Sequence, residues 1–183
     1  MKKDITETIE IPGGIEILAE GDMLVLNKGG EESKMILTKQ LGTKVVMRKE
    51  DRKIIFEAMK ATKRELKIIN TIRAHIKNMI QGFDKKFVYK LKVCSVHFPI
   101  AVSKEGKNIL IKNFLGENKL RKAKILDNVD VKIEKDIIKI ESFNKEAAGQ
   151  TAANIEKTTR VRAKDRRVFQ DGIFIIEKDG KEI

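Results

Sequence analysis

Six of the residues between Lys157 and Arg167 are Lys or Arg, and Asp165 is the only acidic one among them. Lys157, Arg160, Arg162, Lys164, Arg166 and Arg167 at that density suit one chemistry above others, the neutralisation of closely spaced phosphates. A guanidinium holds two phosphate oxygens at once, an ammonium supplies point charge, and each contact releases a condensed counterion from the nucleic acid. The residues just before them are short: Gly149, Gln150, Ala153 and Asn154 leave room for a sugar–phosphate backbone to come near. Nothing in Asn144–Gly172 resembles a catalytic centre. The segment reads as a small-residue helix that runs into a basic, RNA-contacting tail, in which Gln150 and Asn154 join the six cations. Two further basic groups, Lys119, Arg121, Lys122 and Lys124, and Lys85, Lys86, Lys90 and Lys92, are as well explained by solvated faces as by RNA contact.

Other chemistry is poorly provided for. His75 and His97 are the only histidines. Cys94 with His97 supplies two metal ligands where a structural site wants about four, so ordinary structural roles are favoured for both. Cys94, Ser95 and His97 are neighbours, but alternation along a strand places residues 94 and 95 on opposite faces, and no nucleophile-elbow pattern is present. Gly13-Gly14 and Gly29-Gly30 lack the spacing and the Lys-Ser/Thr ending of a P-loop and read as turns. With one Tyr, eight Phe and no Trp, stacking of bases on sheet aromatics is not the expected main mode. The residues therefore point to no catalytic group, no metal, no cofactor and no small-molecule substrate.

Composition agrees. The 183 residues include 39 basic and 27 acidic ones, a net charge of +12 that favours a polyanionic partner. Residues 1–80 hold 16 basic and 12 acidic groups, and residues 81–183 hold 23 and 15, so the second half is the more basic. Both halves stay mixed in sign, unlike a disordered basic tail. One cysteine excludes an intramolecular disulfide. The opening MKKDITETIE lacks the apolar run of a signal peptide, and no apolar stretch reaches the roughly 18 residues of a membrane span. The expectation is a cytoplasmic protein without membrane contact.

The elements that must position the basic segment repeat. Ile11-Pro12 and Phe98-Pro99 hold the chain's two prolines, 87 positions apart (99 − 12 = 87), and the same offset carries Gly29 onto Gly116. Val45–Met47 corresponds to Val131–Ile133 and Ile54–Phe56 to Ile137–Ile140. Each half then has one helix with an Asn, Asn70 and Asn154. Two tandem copies of one domain, 1–82 and 83–183, account for this order. Strands are expected at Ile5–Ile11, Ile15–Ala19, Met23–Asn27, Ser33–Thr38, Lys44–Lys49 and Lys53–Glu57, with turns at Gly13-Gly14 and Gly21-Asp22. A helix starts at Thr62 and runs to about Ile80, burying a stripe of Leu66, Ile69, Ile72, Ile76, Met79 and Ile80 with Arg73 at its margin, and Gly82 stops it. The second half expects strands at Lys86–His97, Ile100–Ser103, Asn108–Asn113, Leu120–Leu126, Asp130–Lys135 and Ile137–Glu141. Asn144 caps a helix over Lys145–Thr158 whose inner stripe is Ala148, Ala152, Ile155 and Thr159. Phe169 and Ile173–Ile176 form a last strand. The fold class is α+β, two small domains in tandem, each a mostly antiparallel sheet packed against one main helix.

Several segments in order resemble a known family. Tyr89–Lys92, His97-Phe98-Pro99-Ile100, Lys112–Glu117 and Lys164–Ile173 are similar to the C-terminal domain of the large-subunit ribosomal protein L6 family in its archaeal and eukaryotic form, and Ile11-Pro12-Gly13 and Gly29 match its first domain more loosely. The resemblance implies a non-enzymatic, duplicated protein that binds large-subunit rRNA. It implies a site at the stalk base near the sarcin–ricin loop, where translational GTPases dock, with other stalk-base ribosomal proteins as neighbours. It also implies rRNA contacts by the six cations of Lys157–Arg167, extending to Lys178. An RNA-processing enzyme using the same basic surface, and a free RNA chaperone, are the alternatives; the first lacks an acid–base or metal constellation.

Overall fold

The computed structural model describes residues 3–20, 23–36 and 45–183. The expected turn at Gly21-Asp22, and the parts of two expected strands at 37–38 and at Lys44, lie outside the described residues. The chain forms two compact units, Met1–Asp84 and Lys85–Ile183.

The first unit contains β1 (Lys3–Glu10), β2 (Glu16–Glu20), β3 (Met23–Lys28), β4 (Glu31–Ile36), β5 (Val45–Glu50), β6 (Lys53–Ala61) and α1 (Lys63–Asp84). Its strands partition into two antiparallel sheets, β2-β3-β4 and β1-β6-β5. The second unit contains β7 (Phe87–Cys94), β8 (Ala101–Glu105), β9 (Asn108–Lys112), β10 (Arg121–Lys124), β11 (Asp130–Glu134), β12 (Ile137–Ser142), α2 (Lys145–Thr158), β13 (Gly172–Lys178) and β14 (Lys181–Glu182). Its sheets run β10-β9-β8 and β11-β12-β7-β13-β14.

Laid side by side, the two units have one topology. β7-β12-β11 repeats β1-β6-β5, β8-β9-β10 repeats β2-β3-β4, and α2 follows β12 as α1 follows β6. The hairpins β5–β6 and β11–β12 both turn on a residue of positive φ, Asp51 at 45° and Lys135 at 50°. The offset there is 84 (135 − 51 = 84), the spacing that separates Asn70 from Asn154. The duplication read from prolines and glycines is thus present in the backbone. The second unit adds β13 and β14 on the free side of β7, and β13 is what brings the basic segment back to the sheet.

α1 opens with a capping box: Glu65 Oε2 accepts from the Thr62 backbone N at 2.7 Å while Arg64 N donates to Thr62 Oγ1 at 3.2 Å. Ile69, Ile72 and Ile76 are fully buried, as their spacing requires. Two expectations fail here. Leu66 is 38% exposed. Gly82 does not stop the helix, which continues to Asp84 with Gly82 buried inside it.

In the second unit the alternation of β7 is realised: Phe87, Tyr89, Leu91 and Val93 enter the core with Ala148, Ala152 and Ile155 of α2. Asn144 caps α2, its Oδ1 accepting from Glu146 N at 2.9 Å and Ala147 N at 3.1 Å. The inner stripe Ala148, Ala152, Ile155 and Thr159 is buried throughout. Phe169 falls short of the last strand, which begins at Gly172 opposite Cys94.

Candidate nucleic-acid interface

The basic segment is a loop between α2 and β13, tied down at both ends, and not a free tail. At its start Thr159 ends α2; its N–H donates to Glu156 O at 3.2 Å and its buried Oγ1 accepts from Ile173 N at 2.9 Å. At its finish Asp171, fully buried, accepts from Val96 N at 2.7 Å and His97 N at 2.9 Å. His97 Nδ1 lies 2.6 Å from Asp171 Oδ2, so the ring carries a proton on Nδ1 toward the carboxylate. Burial alone pushes the Asp171 carboxyl up, but the hydrogen bonds from His97 N, the His97 ring and Val96 N outweigh it and lower it to about 2. His97, expected to be an unremarked strand end, is therefore the clasp that closes the loop, with its ring 5.2 Å from that of Phe169.

Within the loop, Asp165 organises a turn. Its backbone O accepts from Val168 N at 3.1 Å and Phe169 N at 2.9 Å, and its carboxylate accepts from Arg167 N at 2.9 Å and from the Arg167 guanidinium at 2.8 Å. Those bonds hold the Asp165 carboxyl below its usual range. Arg167 is thereby oriented while its side chain remains 90% exposed. Lys164 Nζ sits 4.5 Å from the Phe169 ring centre. Lys157, Arg160, Arg162 and Arg166 are exposed, and among the described residues no carboxylate pairs with them.

Folding joins part of the second basic group to the first. Lys119 and Lys122 line an open groove of about 630 Å³ together with Lys157, Arg160 and Arg162. Arg121, from the same group, has a different role. It donates to the Glu117 carboxylate through Nε at 2.9 Å and Nη2 at 2.7 Å, and to Thr158 O through Nη1 at 2.5 Å. Its guanidinium also lies 4.3 Å from the Phe114 ring centre. Arg121 is a clamp on the C-terminal end of α2, where the helix leaves carbonyls unsatisfied and favours positive charge.

Other expected residues are dispersed or engaged. Gln150 Nε2 donates to Asn154 Oδ1 at 2.8 Å, and Asn154 Nδ2 donates to Lys124 O at 3.2 Å, so this polar pair on α2 is already oriented. A Cβ on Gly149 would lie 3.3 Å from the Tyr89 hydroxyl, so the small residue serves the contact with β7. Lys90 pairs with Glu177 at 2.7 Å. Lys178 stands six residues along β13 from the loop, about 20 Å away at strand rise. The motif residues around the site pack on one another: a Cβ on Gly116 would lie 3.4 Å from the Phe98 ring, and Asn113 Nδ2 donates to Pro99 O at 3.0 Å. Among the described residues no group of three or more His, Cys, Asp or Glu could hold a metal ion, and no helix is long and apolar enough to cross a membrane.

Two comparisons with known proteins bear on this surface. The family model of ribosomal protein L6 matches the chain twice, over residues 11–86 and 98–172. The two matches begin 87 residues apart (98 − 11 = 87), the offset of the prolines. Along its length the chain is similar to the large ribosomal subunit protein uL6 of Methanococcus vannielii, with 39% identity over 178 residues, 97% of this chain and 96% of the relative. It is also similar to the large ribosomal subunit protein uL6 of Methanothrix thermoacetophila, with 41% identity over 179 residues, 97% of this chain and 99% of the relative. With a double match to the family model and relatives of this identity over nearly the full chain, the protein belongs to the ribosomal protein L6 family.

Proposed function

We propose that the chain contacts large-subunit rRNA through its second unit, with the loop between Thr159 and Asp171 and the adjoining end of α2 as the contact surface. Family membership makes it a structural, non-enzymatic constituent of the large ribosomal subunit, in the ribosome. The observation that carries the site is the clasped loop. Thr159 and Asp171 fix its two ends, and between them Arg160, Arg162 and Arg166 stand exposed without carboxylate partners among the described residues. A loop held at both ends loses less freedom on binding than a mobile one, and its cations release the same counterions. Lys157, Lys164 and Arg167 extend the surface, Lys119 and Lys122 line its groove, and Gln150 and Asn154 supply neutral hydrogen-bonding groups.

The finer placement is the stalk base, near the sarcin–ricin loop and the docking site of translational GTPases, with other stalk-base ribosomal proteins as neighbours. The resemblance of the His97–Ile100, Lys112–Glu117 and Lys164–Ile173 segments supports it. Sedimentation of a cell lysate on a sucrose gradient tests the reading. Co-migration with the large subunit through a moderate salt wash is expected; a chain that stays at the top of the gradient would contradict it. Cross-linking of the bound chain to rRNA then tests the placement, which fails if the linked nucleotides lie away from the stalk base.

A further inference from the structure

Beneath the clasped loop, where β7 and β13 meet α2, lies an open pocket of about 930 Å³. Cys94, Val96, Val161, Phe169 and Phe174 give it an apolar lining, and Lys157, Arg160 and Arg166 a basic one. Val96 is 70% exposed, and Cys94, Phe169 and Phe174 are only partly covered. The backbone of a duplex is convex and polar; it has nothing to place against a concave apolar wall of this size. An unstacked nucleotide carries both matching groups on one unit, a base with two apolar faces and a phosphate.

We infer that the pocket receives an unstacked base of the RNA, with the phosphate next to it held by Arg160 and Arg166. The inference rests on the rRNA-binding reading above and adds a base contact to it. Stacking against a phenylalanine ring uses the apolar face that every base has, so any preference among bases must come from the polar groups at its edge. Two polar side chains in the lining give the base edge something to pair with. Glu156 spends Oε1 on Ile175 N at 3.2 Å, which orients its carboxylate. Gln170 donates its amide to Arg167 O at 3.1 Å, which orients its carbonyl oxygen. Glu156 offers only acceptors and Gln170 its carbonyl oxygen beside one remaining amide hydrogen, so a base edge with an exocyclic amine finds acceptors from both. Asp171, although it lines the pocket, is consumed by Val96 and His97.

The full chain bound to large-subunit rRNA provides the test. Short-wave ultraviolet light joins a base to a side chain only where the two touch. Tryptic digestion separates Val93–Lys104, which holds Cys94 and Val96, from Val168–Lys178, which holds Phe169 and Phe174. A nucleotide adduct on Cys94, Phe169 or Phe174 is expected. A complex that forms while both peptides stay unmodified would overturn the inference and leave the rRNA-binding reading standing; a chain that forms no complex would overturn both. Cys94, the only cysteine, gives a second readout. At RNA about ten times above its Kd the pocket is filled roughly nine-tenths of the time, and alkylation of Cys94 slows about tenfold. An unchanged rate in the saturated complex would count against base entry just as directly.

Discussion

At the residue scale, two arginines of similar sequence context do opposite work. Arg121 fixes the end of α2 through Thr158 O, Glu117 and the face of Phe114; Arg166 is exposed in the loop with no ion pair among the described residues. Arg121→Ala should therefore cost stability, about 2 kcal/mol, from a charge-assisted hydrogen bond and a cation–π contact, with little taken from the part-exposed Glu117 pair. Urea denaturation checks it, and a midpoint within error of the parent would remove Arg121 from the structural role. Arg166→Ala should leave that midpoint within about 0.5 kcal/mol and weaken rRNA binding instead. Asp171 gives a pH prediction. Its folded carboxyl titrates at about 2 against an ordinary value of 3.8, so the stability it supplies is present above 3.8 and lost as the pH falls from there toward 2. Asp171→Asn should lower stability at neutral pH by about 2 kcal/mol and flatten the acid limb between those values. Identical acid limbs in parent and variant would mean that the clasp does not depend on the charge.

At the scale of elements, α2 and the loop after it act as one unit. The helix is held at its start by Asn144, along its length by Ala148, Ala152 and Ile155 against β7, and at its end by Arg121 and Thr159. Asn144→Ala should cost about 1 kcal/mol, the usual loss for an N-cap, readable as a shift in the thermal midpoint. Gly149 separates a packing role from an RNA role. Gly149→Val places a branched side chain against the Tyr89 hydroxyl and should destabilise the second unit by about 1–3 kcal/mol. The folded variant should bind rRNA with the parent's affinity at low temperature. Parent-like stability with weakened binding would return Gly149 to the RNA surface.

At the scale of the whole molecule, the duplication was legible because prolines and glycines report backbone geometry directly: two prolines and two glycines at one offset were enough to align the copies. Asn144 and the alternation of β7 were legible for the same reason, being local. What the sequence hid was non-local. The Asp171 clasp joins residues 74 and 75 apart, and nothing near His97 in the chain announces its partner. Arg121 looked like its lysine neighbours because only the fold brings Phe114, Glu117 and Thr158 around it. Gly82 was misread because a glycine near the end of a helical pattern does not by itself stop the helix, and the contact of Gly149 with Tyr89 was hidden because the two are 60 residues apart (149 − 89 = 60). The split of each unit's strands into two sheets depends on pairing partners, which periodicity does not specify. The central claim is that cations of the clasped loop neutralise rRNA phosphates. The direct measurement is the dependence of rRNA affinity on salt for the parent and for the double variant Arg160→Ala, Arg166→Ala. Each lost phosphate contact should make the log–log slope shallower by about 0.7–0.9, so the double variant should lie about 1.5 units above the parent. A double variant with the parent's slope and affinity would contradict the claim and send the search for the RNA surface elsewhere on the chain.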